Sequence, residues 1–314
     1  MKTELLQVCN VCDSTALEML DSACDIARCR VCGYIFDNPR PAPEELVRFY
    51  SQSGKYESWL RELDAREALW KRRLKKLQST RKPGSLLDVG TGIGQFLAVA
   101  SSSYTEVYGT EVSASAIELG KRNYGLELFR GTIEELAAQG KTFDNITLFH
   151  VLEHVPDPRT VLTTCHALLS EGGILVIAVP NEVASLRGLK RRLLGTRAGG
   201  FGRMGLPRIT LDGSLDEIHL SHFTPTVLRR LGDSHGVLGS QEHSGPILRA
   251  ERPRSEQGRY LLLLLSWFFE DCPGQYLRCD SDGGPQDSWR YRGRLMTHFE
   301  PCERADAVAS SSGS

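Results

Sequence analysis

The sequence predicts an α/β protein built on a doubly wound, mostly parallel sheet, with a small cysteine-rich segment before it. The apolar run Leu86–Val89 leads into three alternating glycines and then a helical pattern, which is typical of a buried strand followed by a ligand-binding turn. After this turn, strand and helix patterns alternate, as expected of a parallel sheet covered on both faces. Two C-x-x-C pairs near the N-terminus predict the separate segment.

Composition narrows the class of protein. The chain has 314 residues, and its 38 basic and 39 acidic residues nearly cancel, so no overall charge favours nucleic acid or an anionic membrane surface. The N-terminal residues lack the pattern of a secretory signal, and the longest apolar run, 260–269, is too short to cross a bilayer. We therefore expect a cytoplasmic protein without a membrane partner, whose cysteines are metal ligands or thiols rather than disulfides.

The cysteine-rich segment, residues 1–38, has the spacing of a zinc ribbon. Its two pairs are separated by 16 residues and consist of Cys9, Cys12, Cys29 and Cys32. Four thiolates suit a structural zinc ion, and so short a segment has little core without one. Cys24 matches neither pair and is expected not to be a ligand. The alternative interpretation is redox dithiols or unpaired cysteines.

Residues 39–83 are predicted to be a proline-rich connector and an amphipathic helix. Leucines and Trp70 recur at helical spacing over Glu57–Leu77, with basic residues between them. A solvated basic face is the expected interpretation, and contact with nucleic acid is the alternative. The aromatic residues Phe49, Tyr50 and Tyr56 are expected to pack in the core, or alternatively to cover a ligand.

The glycine turn suits a positively charged nucleoside. Gln95 occupies the position of the third glycine of the dinucleotide fingerprint G-x-G-x-x-G, so that fingerprint is incomplete. Asp88 precedes the first glycine by two residues, where its charge would repel a pyrophosphate and attract a cation. Glu111 ends the next predicted strand, about 20 residues on, where an acidic residue can bind ribose hydroxyls.

Residues 88–94 together with Glu111 resemble the cofactor site of class I S-adenosylmethionine-dependent methyltransferases. Residues 144–158 and 172–181 resemble the fourth and fifth strands of the small-molecule branch of that family, so the resemblance covers roughly residues 85–182. It implies a Rossmann-like domain over 84–250, S-adenosylmethionine as cofactor and a small-molecule acceptor. The ribbon and connector are similar to the start of relatives that act on nucleotide sugars.

The resemblance also implies a set of cofactor-binding residues. These are Asp88, Gly90, Thr91, Gly92, Gly94, Phe96, Glu111, Val112, Thr132, Ile133, Phe149 and His150. The family usually has Asp or Asn where Thr132 stands, so we expect the adenine to be held mainly by the backbone and Ile133.

The motif H-x-x-E-H at residues 150–154 raises a rival hypothesis, because one class of zinc peptidase carries it. That site needs both histidines on one helical face, whereas His150 follows a predicted strand and two prolines come soon after His154. We therefore reject the peptidase. In the resembled family, Glu153 and His154 anchor the loop or face the substrate.

Residues 187–222 are predicted to be a basic lid or substrate-binding insertion within the domain. His219 and His222 near its end are candidate general bases together with His154, since relatives that methylate sugar carbons use a Glu/His pair there. Hydrogen bonding within the loop is the alternative role. Pro225 is expected to open a helix that runs to Gly236. After that residue the resemblance fades, and 251–314 is expected to be partly disordered.

These features predict transfer of a methyl group from S-adenosylmethionine to a small molecule, possible acceptors being a sugar nucleotide or another biosynthetic intermediate. Two alternatives stay open. An rRNA or tRNA methyltransferase would use the zinc ribbon to bind RNA, although the near-neutral charge makes nucleic acid an unexpected partner. A non-catalytic protein would bind the cofactor without turnover. The sequence does not define the acceptor or the oligomeric state.

Overall fold

The computed structural model describes residues 2–52, 56–77, 84–183, 192, 202–212, 215, 217–233, 241–242, 247–249 and 260–266. Most of the predicted insertion over 187–222, including its basic run, lies outside these residues. So does the C-terminal segment apart from 260–266.

The strands are β1 (Thr3–Glu4), β2 (Leu17–Asp21), β3 (Ile26–Cys29), β4 (Ile35–Asp37), β5 (Arg40–Pro41), β6 (Ser85–Val89), β7 (Glu106–Glu111), β8 (Phe129–Arg130), β9 (Phe143–Phe149), β10 (Leu169–Pro180), β11 (Ser221–His222), β12 (Gln241–Glu242), β13 (Ile247–Arg249) and β14 (Tyr260–Ser266). The α-helices are α1 (Pro43–Tyr50), α2 (Leu63–Leu77), α3 (Gln95–Ala100), α4 (Ala114–Tyr124), α5 (Ile133–Ala137), α6 (Pro158–Leu168) and α7 (Pro225–Asp233). Short 3₁₀ turns cover Glu57–Glu62 and Ser101–Ser103.

The main sheet has the order β12-β13-β14-β10-β9-β6-β7-β8. Six neighbouring strands of this sheet are parallel, in the order β14, β10, β9, β6, β7 and β8. At one edge, β13 pairs antiparallel with β14, and β12 pairs antiparallel with β13. This architecture confirms the predicted doubly wound, mostly parallel sheet. The apolar run that begins at residue 260 forms β14 and continues the parallel set.

The strand order reverses between β6 and β9. The chain moves outward from β6 through β7 to β8 and then returns to place β9 on the other side of β6. A crevice opens outside the carboxyl ends of parallel strands at such a reversal, and ligands of doubly wound sheets bind there. The glycine turn follows β6 and His150 follows β9, so both reach this crevice.

The third strand of the parallel set, β8, is short and covers Phe129–Arg130. Helix α4 is capped by Ser113, whose side chain accepts a hydrogen bond from the Ala116 backbone N–H. Gly172 lies inside β10, where the pairing with β9 shifts between Leu169 and Ile174.

The cysteine-rich segment does not form a sheet by itself. Strands β2, β3 and β4 are antiparallel, and β11 joins them by pairing His222 with Ile35 and Ser221 with Phe36. Strand β1 pairs with β5, so pairing within the N-terminal segment extends to Pro41. The buried residues Tyr34 and Phe36 belong to the same apolar cluster as the β6 and β9 side chains Leu87 and Leu148.

A second apolar cluster covers the opposite face and includes Leu74 of α2, Phe96 of α3 and Phe149. Phe49 and Tyr56 are buried, and Tyr50 is half-buried. Within the described ranges, no helix combines the length and the apolar character that a membrane crossing needs.

Candidate functional site

The four predicted cysteines converge. The Sγ atoms of Cys9 and Cys32 are 3.5 Å apart, those of Cys12 and Cys29 are 3.6 Å apart, and all four lie within 4.8 Å of one another. Zn–S bonds of about 2.3 Å place the sulfurs of a tetrahedral ion roughly 3.8 Å apart, so this donor set fits zinc. Cys24 lies in a separate apolar cluster and does not join the group, as predicted.

The glycine turn forms the floor of a cavity at the carboxyl end of β6. Gly90, Thr91 and Gly92 line it, with the buried side chain of Asp88 beside them. Thr147 Oγ1 donates a hydrogen bond of 2.6 Å to Asp88 Oδ1. Burial raises the pKa of Asp88 to about 7, although the Thr147 hydrogen bond acts in the opposite direction. A cation in the cavity would favour the ionised carboxylate.

The predicted ribose ligand Glu111 supports the turn in this structure. Its two carboxylate oxygens accept hydrogen bonds from the backbone N–H groups of Gly92 and Ser113, each at 2.8 Å. The half-buried Val112 follows it. The predicted contact of Glu111 with a ribose stays a prediction.

The predicted adenine-side residues lie at the start of α5. The Thr132 hydroxyl accepts a hydrogen bond from the Glu135 N–H, and Glu135 in turn accepts one from the Thr132 N–H, so this side chain caps the helix. Ile133 is buried. Neither lines the cavity around Asp88, and their predicted contact with a base is untested.

Helix α2 supplies a wall of the cavity that the sequence did not predict. Trp59, in the 3₁₀ turn before the helix, lies over the glycine turn, and the Arg66 guanidinium stacks 3.9 Å from the centre of its ring. Arg73 lies over Trp70 and also lines the cavity. The expected solvated basic face is therefore wrong for Arg66. Basic residues at helical spacing look alike whether they face water or a ligand.

An aromatic cluster joins α2 to the carboxyl end of β9. The rings of Phe96 and Phe149 are 4.8 Å apart at their centres, and Trp70 lies 5.3 and 5.4 Å from them. Phe96, Phe149 and His150 all line the cavity, as does the helix start at Gln95. His150 has a left-handed backbone with φ of 58°, and Arg73 Nη2 lies 3.2 Å from its Nε2. Burial, followed by the Arg73 charge, holds the pKa of His150 well below its usual range.

Glu153 and His154 lie behind this wall. His150 Nδ1 is 3.4 Å and His154 Nε2 is 3.9 Å from Glu153 Oε1, and burial raises the pKa of Glu153 to about 8. His154 Nδ1 lies 2.6 Å from the Ile218 carbonyl and 2.9 Å from the Tyr50 hydroxyl. Burial lowers the pKa of His154 to about 4, so its ring is neutral near pH 7. Residues 150–154 form no helix, which agrees with rejection of the peptidase.

His219 completes this cluster. Its ring centre is 4.9 Å from that of His154, its Nδ1 lies 3.1 Å from Glu182 Oε1 and its Nε2 lies 3.7 Å from Glu217 Oε2. Glu217 also lines the cavity. Burial raises the pKa of Glu182, but the charges and hydrogen bonds of the two neighbouring histidines outweigh it and hold that pKa well below its usual range.

The prediction of His222 as a general base needs correction. Its Nδ1 lies 2.9 Å from Glu182 Oε2 and its Nε2 lies 2.9 Å from Asp37 Oδ2. Burial lowers the pKa of His222, but the hydrogen bonds to these two carboxylates raise it by more, to about 9. A protonated ring with both nitrogens engaged has no lone pair to accept a proton. His222 links β11 to β4 of the cysteine-rich segment.

A family model described as a methyltransferase domain matches residues 60–237. This match covers more than half of the chain and includes all the residues that line the cavity except Trp59. The chain belongs to the class I methyltransferases. The matched range includes the segments on which the predicted resemblance depended, namely residues 88–94 with Glu111, residues 144–158 and residues 172–181.

Curated relatives match a shorter stretch. A ubiquinone biosynthesis O-methyltransferase of Cereibacter sphaeroides is 37% identical over 102 residues, which are 31% of this chain and 41% of the relative. A ubiquinone biosynthesis O-methyltransferase of Haemophilus ducreyi is 32% identical over 107 residues, which are 31% of this chain and 45% of the relative. The chain thus spans less than half the length of these relatives. A crystal structure of an S-adenosylmethionine-dependent methyltransferase from Archaeoglobus fulgidus aligns over 59% of this chain and 76% of its own, with 19% identity and a TM-score of 0.42.

Proposed function

We propose that this methyltransferase binds S-adenosylmethionine in the cavity at the carboxyl end of β6 and transfers its methyl group to a small molecule. The single observation that carries the proposal is the buried Asp88 carboxylate beside the glycine turn of a class I methyltransferase domain. A carboxylate in an apolar wall is costly to ionise unless a cation approaches, and the sulfonium and ammonium of this nucleoside supply that charge.

The other cavity residues suit the remaining parts of the cofactor. Arg66 and Arg73 provide positive charge for the methionine carboxylate, and the aromatic side chains of Phe96 and Phe149 provide apolar surface. Glu111 accepts a hydrogen bond from the Gly92 backbone N–H of the turn. We propose that it also reaches the ribose once the cofactor is present. This assignment leaves His150 at the junction of cofactor and acceptor.

The transfer is an in-line displacement. The bond between methyl carbon and sulfonium sulfur would break as a bond to the acceptor oxygen forms, the sulfur would leave as a neutral thioether, and the hydroxyl proton would pass to a base or to water on the acceptor side of the cavity. The protein mainly aligns donor and acceptor and excludes water. We propose a hydroxyl acceptor, supported by relatives that are named O-methyltransferases, with the acceptor on the side of Glu217, His154 and His219.

The cysteine centre is proposed to hold a structural zinc ion. Four thiolates leave no position for a substrate, and the sulfur spacing fits a tetrahedral ion. Its proposed role is to hold the segment that carries β4, to which β11 pairs.

Calorimetry with S-adenosylmethionine and S-adenosylhomocysteine tests the cofactor assignment. We expect both to bind, and D88N to weaken the methylated cofactor more than its neutral-sulfur product. Incubation with methyl-labelled cofactor and fractionated small-molecule extracts then identifies the acceptor. Binding without label transfer to any fraction would favour the non-catalytic alternative, and label in RNA would favour the rRNA or tRNA alternative. Failure of wild-type protein to bind either nucleoside would overturn the proposal.

A further inference from the structure

The cluster behind the cavity contains an unusual buried carboxylate. Glu153 is 1% exposed, and within the described part of the chain neither of its side-chain oxygens accepts a hydrogen bond. Buried carboxylates without hydrogen bonds are rare in folded proteins because the desolvated group is costly. The group is aimed at histidines, with His154 Nε2 3.9 Å and His150 Nδ1 3.4 Å from Oε1.

We propose that Glu153, His154 and His219 bind a divalent transition-metal ion, a second metal site distinct from the cysteine centre. One ligand atom from each of the three residues lies within 4.8 Å of the others. An ion about 2.1 Å from each ligand needs these atoms roughly 3.4 Å apart, which small side-chain rotations supply. Two imidazoles and one carboxylate suit Zn²⁺ or Fe²⁺, and the ion supplies the positive charge that the Glu153 carboxylate lacks.

The groups around both histidines orient them for this role. Metal-binding imidazoles usually donate the N–H of their other nitrogen to a carbonyl or carboxylate, which fixes the ring and directs the second nitrogen at the ion. His154 Nδ1 lies 2.6 Å from the Ile218 carbonyl oxygen, and His219 Nδ1 lies 3.1 Å from a Glu182 oxygen. Both Nε2 atoms are thereby directed into the cluster, where they lie near Glu153 and Glu217.

His222 extends this support to the cysteine-rich segment. It lies between Glu182 and Asp37 with both nitrogens 2.9 Å from a carboxylate oxygen. Glu182 therefore contacts His219 through one oxygen and His222 through the other. Such a chain of hydrogen bonds is the arrangement that keeps a metal ligand in one orientation.

The proposed ion would lie next to the acceptor side of the cavity. Glu217 and His150 contact the cluster and line the cavity. Three protein ligands leave a coordination position for water or for an acceptor hydroxyl, as in catalytic rather than structural sites. The site differs from the rejected H-x-x-E-H peptidase, because its third ligand is His219 and no helix carries the motif. The inference rests on side-chain geometry and does not depend on methyl transfer.

Cobalt titration of metal-stripped, reduced full-length protein tests the site, because thiolate and imidazole ligands give different spectra. We expect wild-type protein to bind two Co²⁺ per chain, one with the near-ultraviolet charge-transfer band of a thiolate site and one with weak visible bands only. E153Q and H219Q should each lose the second equivalent and retain the thiolate band. C12S should lose the thiolate band, which assigns that band to the cysteine centre.

Matched controls are E171Q, at an exposed glutamate of β10, and H166Q on α6, both outside the cluster. They should bind two equivalents. Circular dichroism establishes that each variant is folded, and H154Q replaces any variant that is not. A single equivalent in the wild type would overturn the proposal even without variants. So would a second equivalent that survives E153Q, H154Q and H219Q. Either result leaves cofactor binding measurable by calorimetry, so the two proposals fail separately.

Discussion

At the scale of single residues, charge and burial assign different roles to side chains of the same type. Asp88 and Asp37 are both buried carboxylates, yet only Asp37 faces a histidine at 2.9 Å, whereas Asp88 accepts a hydrogen bond from a neutral hydroxyl. The negative charge of Asp37 is thus compensated by His222 within the protein. Asp88 lies in the cavity wall, where a positively charged ligand can compensate its charge. A cation bound in the cavity is therefore expected to favour ionisation of Asp88 and to leave Asp37 unchanged.

Replacement of Asp88 by Asn tests this difference. We expect D88N to lower affinity for S-adenosylmethionine about 10- to 100-fold through loss of a charged contact, without loss of stability, because the Thr147 hydroxyl can still donate to the amide oxygen. Calorimetry and denaturant unfolding measure the two quantities. A variant that binds as tightly as wild type would show that Asp88 does not face the cofactor.

The pH dependence of binding gives a second test of Asp88. Its folded-state pKa of about 7 lies above the value of 3.8 for a free side chain, and the nearby Glu111 raises it further. The stability that this group contributes is therefore complete below about pH 3.8 and lost as pH rises through 7. Since the cation needs the ionised form, affinity in the wild type should increase from pH 6 to 8 more steeply than in D88N. Equal slopes in calorimetry would contradict the assignment.

His222 is expected to stabilise the fold rather than to react. In H222Q the carboxylates of Asp37 and Glu182 lose the cation between them, and we expect a loss of about 3–5 kcal/mol in the free energy of unfolding at pH 7. Because the folded-state pKa of about 9 exceeds the free value of 6.5, the contribution is complete below pH 6.5 and is lost as pH rises through 9.

Denaturant unfolding of wild type and H222Q between pH 6 and 10 measures this contribution, with H166Q on α6 as the control. The difference between wild type and H222Q should narrow at the alkaline end, while H166Q should follow the wild type. A constant difference across this range would show that His222 is neutral in the folded protein.

At the scale of elements, the glycine turn combines a left-handed backbone conformation with close packing against Trp59. Gly92 has φ of 59°, and a Cβ atom there would lie 2.9 Å from Cζ3 of Trp59. Gly140 has φ of 69° with no atom within 4 Å of such a Cβ. An alanine at either position would carry the same free-energy cost of a left-handed backbone. Only at Gly92 would its methyl group also meet a neighbouring side chain.

We expect G140A to lose about 1–2 kcal/mol of stability because it places a side chain in the left-handed region, and G92A to lose this amount and more because its methyl group also displaces Trp59. Only G92A should also lose cofactor affinity, since its methyl group displaces Trp59 and narrows the cavity floor. Thermal unfolding and calorimetry on both variants separate the two effects. Equal cofactor affinities in the two variants would mean that the turn does not contact the ligand.

The elements show which predictions local sequence supports. Strand β10 was predicted because residues 174–179 form a continuous apolar run, whereas β9, which contains Asp144, Asn145 and Thr147, was predicted from the family resemblance. Helix α4 ends at Gly125, because glycine adopts the left-handed φ of 66° readily. The pairing of β11 with β4 was not predictable. Two residues carry no periodicity, and their partner is about 185 positions away. Likewise, nothing in α2 distinguished the cavity residues Arg66 and Arg73 from its exposed lysines.

At the scale of the whole molecule, the cysteine-rich segment contacts elements that lie next to the site. Its strand β4 pairs with β11, its Asp37 holds His222, and Asn10 donates a hydrogen bond of 2.7 Å to the carbonyl of Pro156 in the loop after His154. Its apolar side chains share a cluster with those of the main sheet. Loss of order in this segment should therefore remove support from the acceptor side of the cavity.

Substitution of one proposed zinc ligand tests that coupling. We expect C29S to release the ion and lower the melting temperature, since metal binding supplies much of the folding energy of so small a segment. Affinity for S-adenosylmethionine should fall as well, because β11 and the loop at Pro156 lose their partners. C24A is the matched control, because Cys24 is a buried thiol of the same segment outside the metal group. If C29S bound the cofactor as C24A does, the segment would fold independently of the site, and its interactions with β11 would have no effect on the cavity.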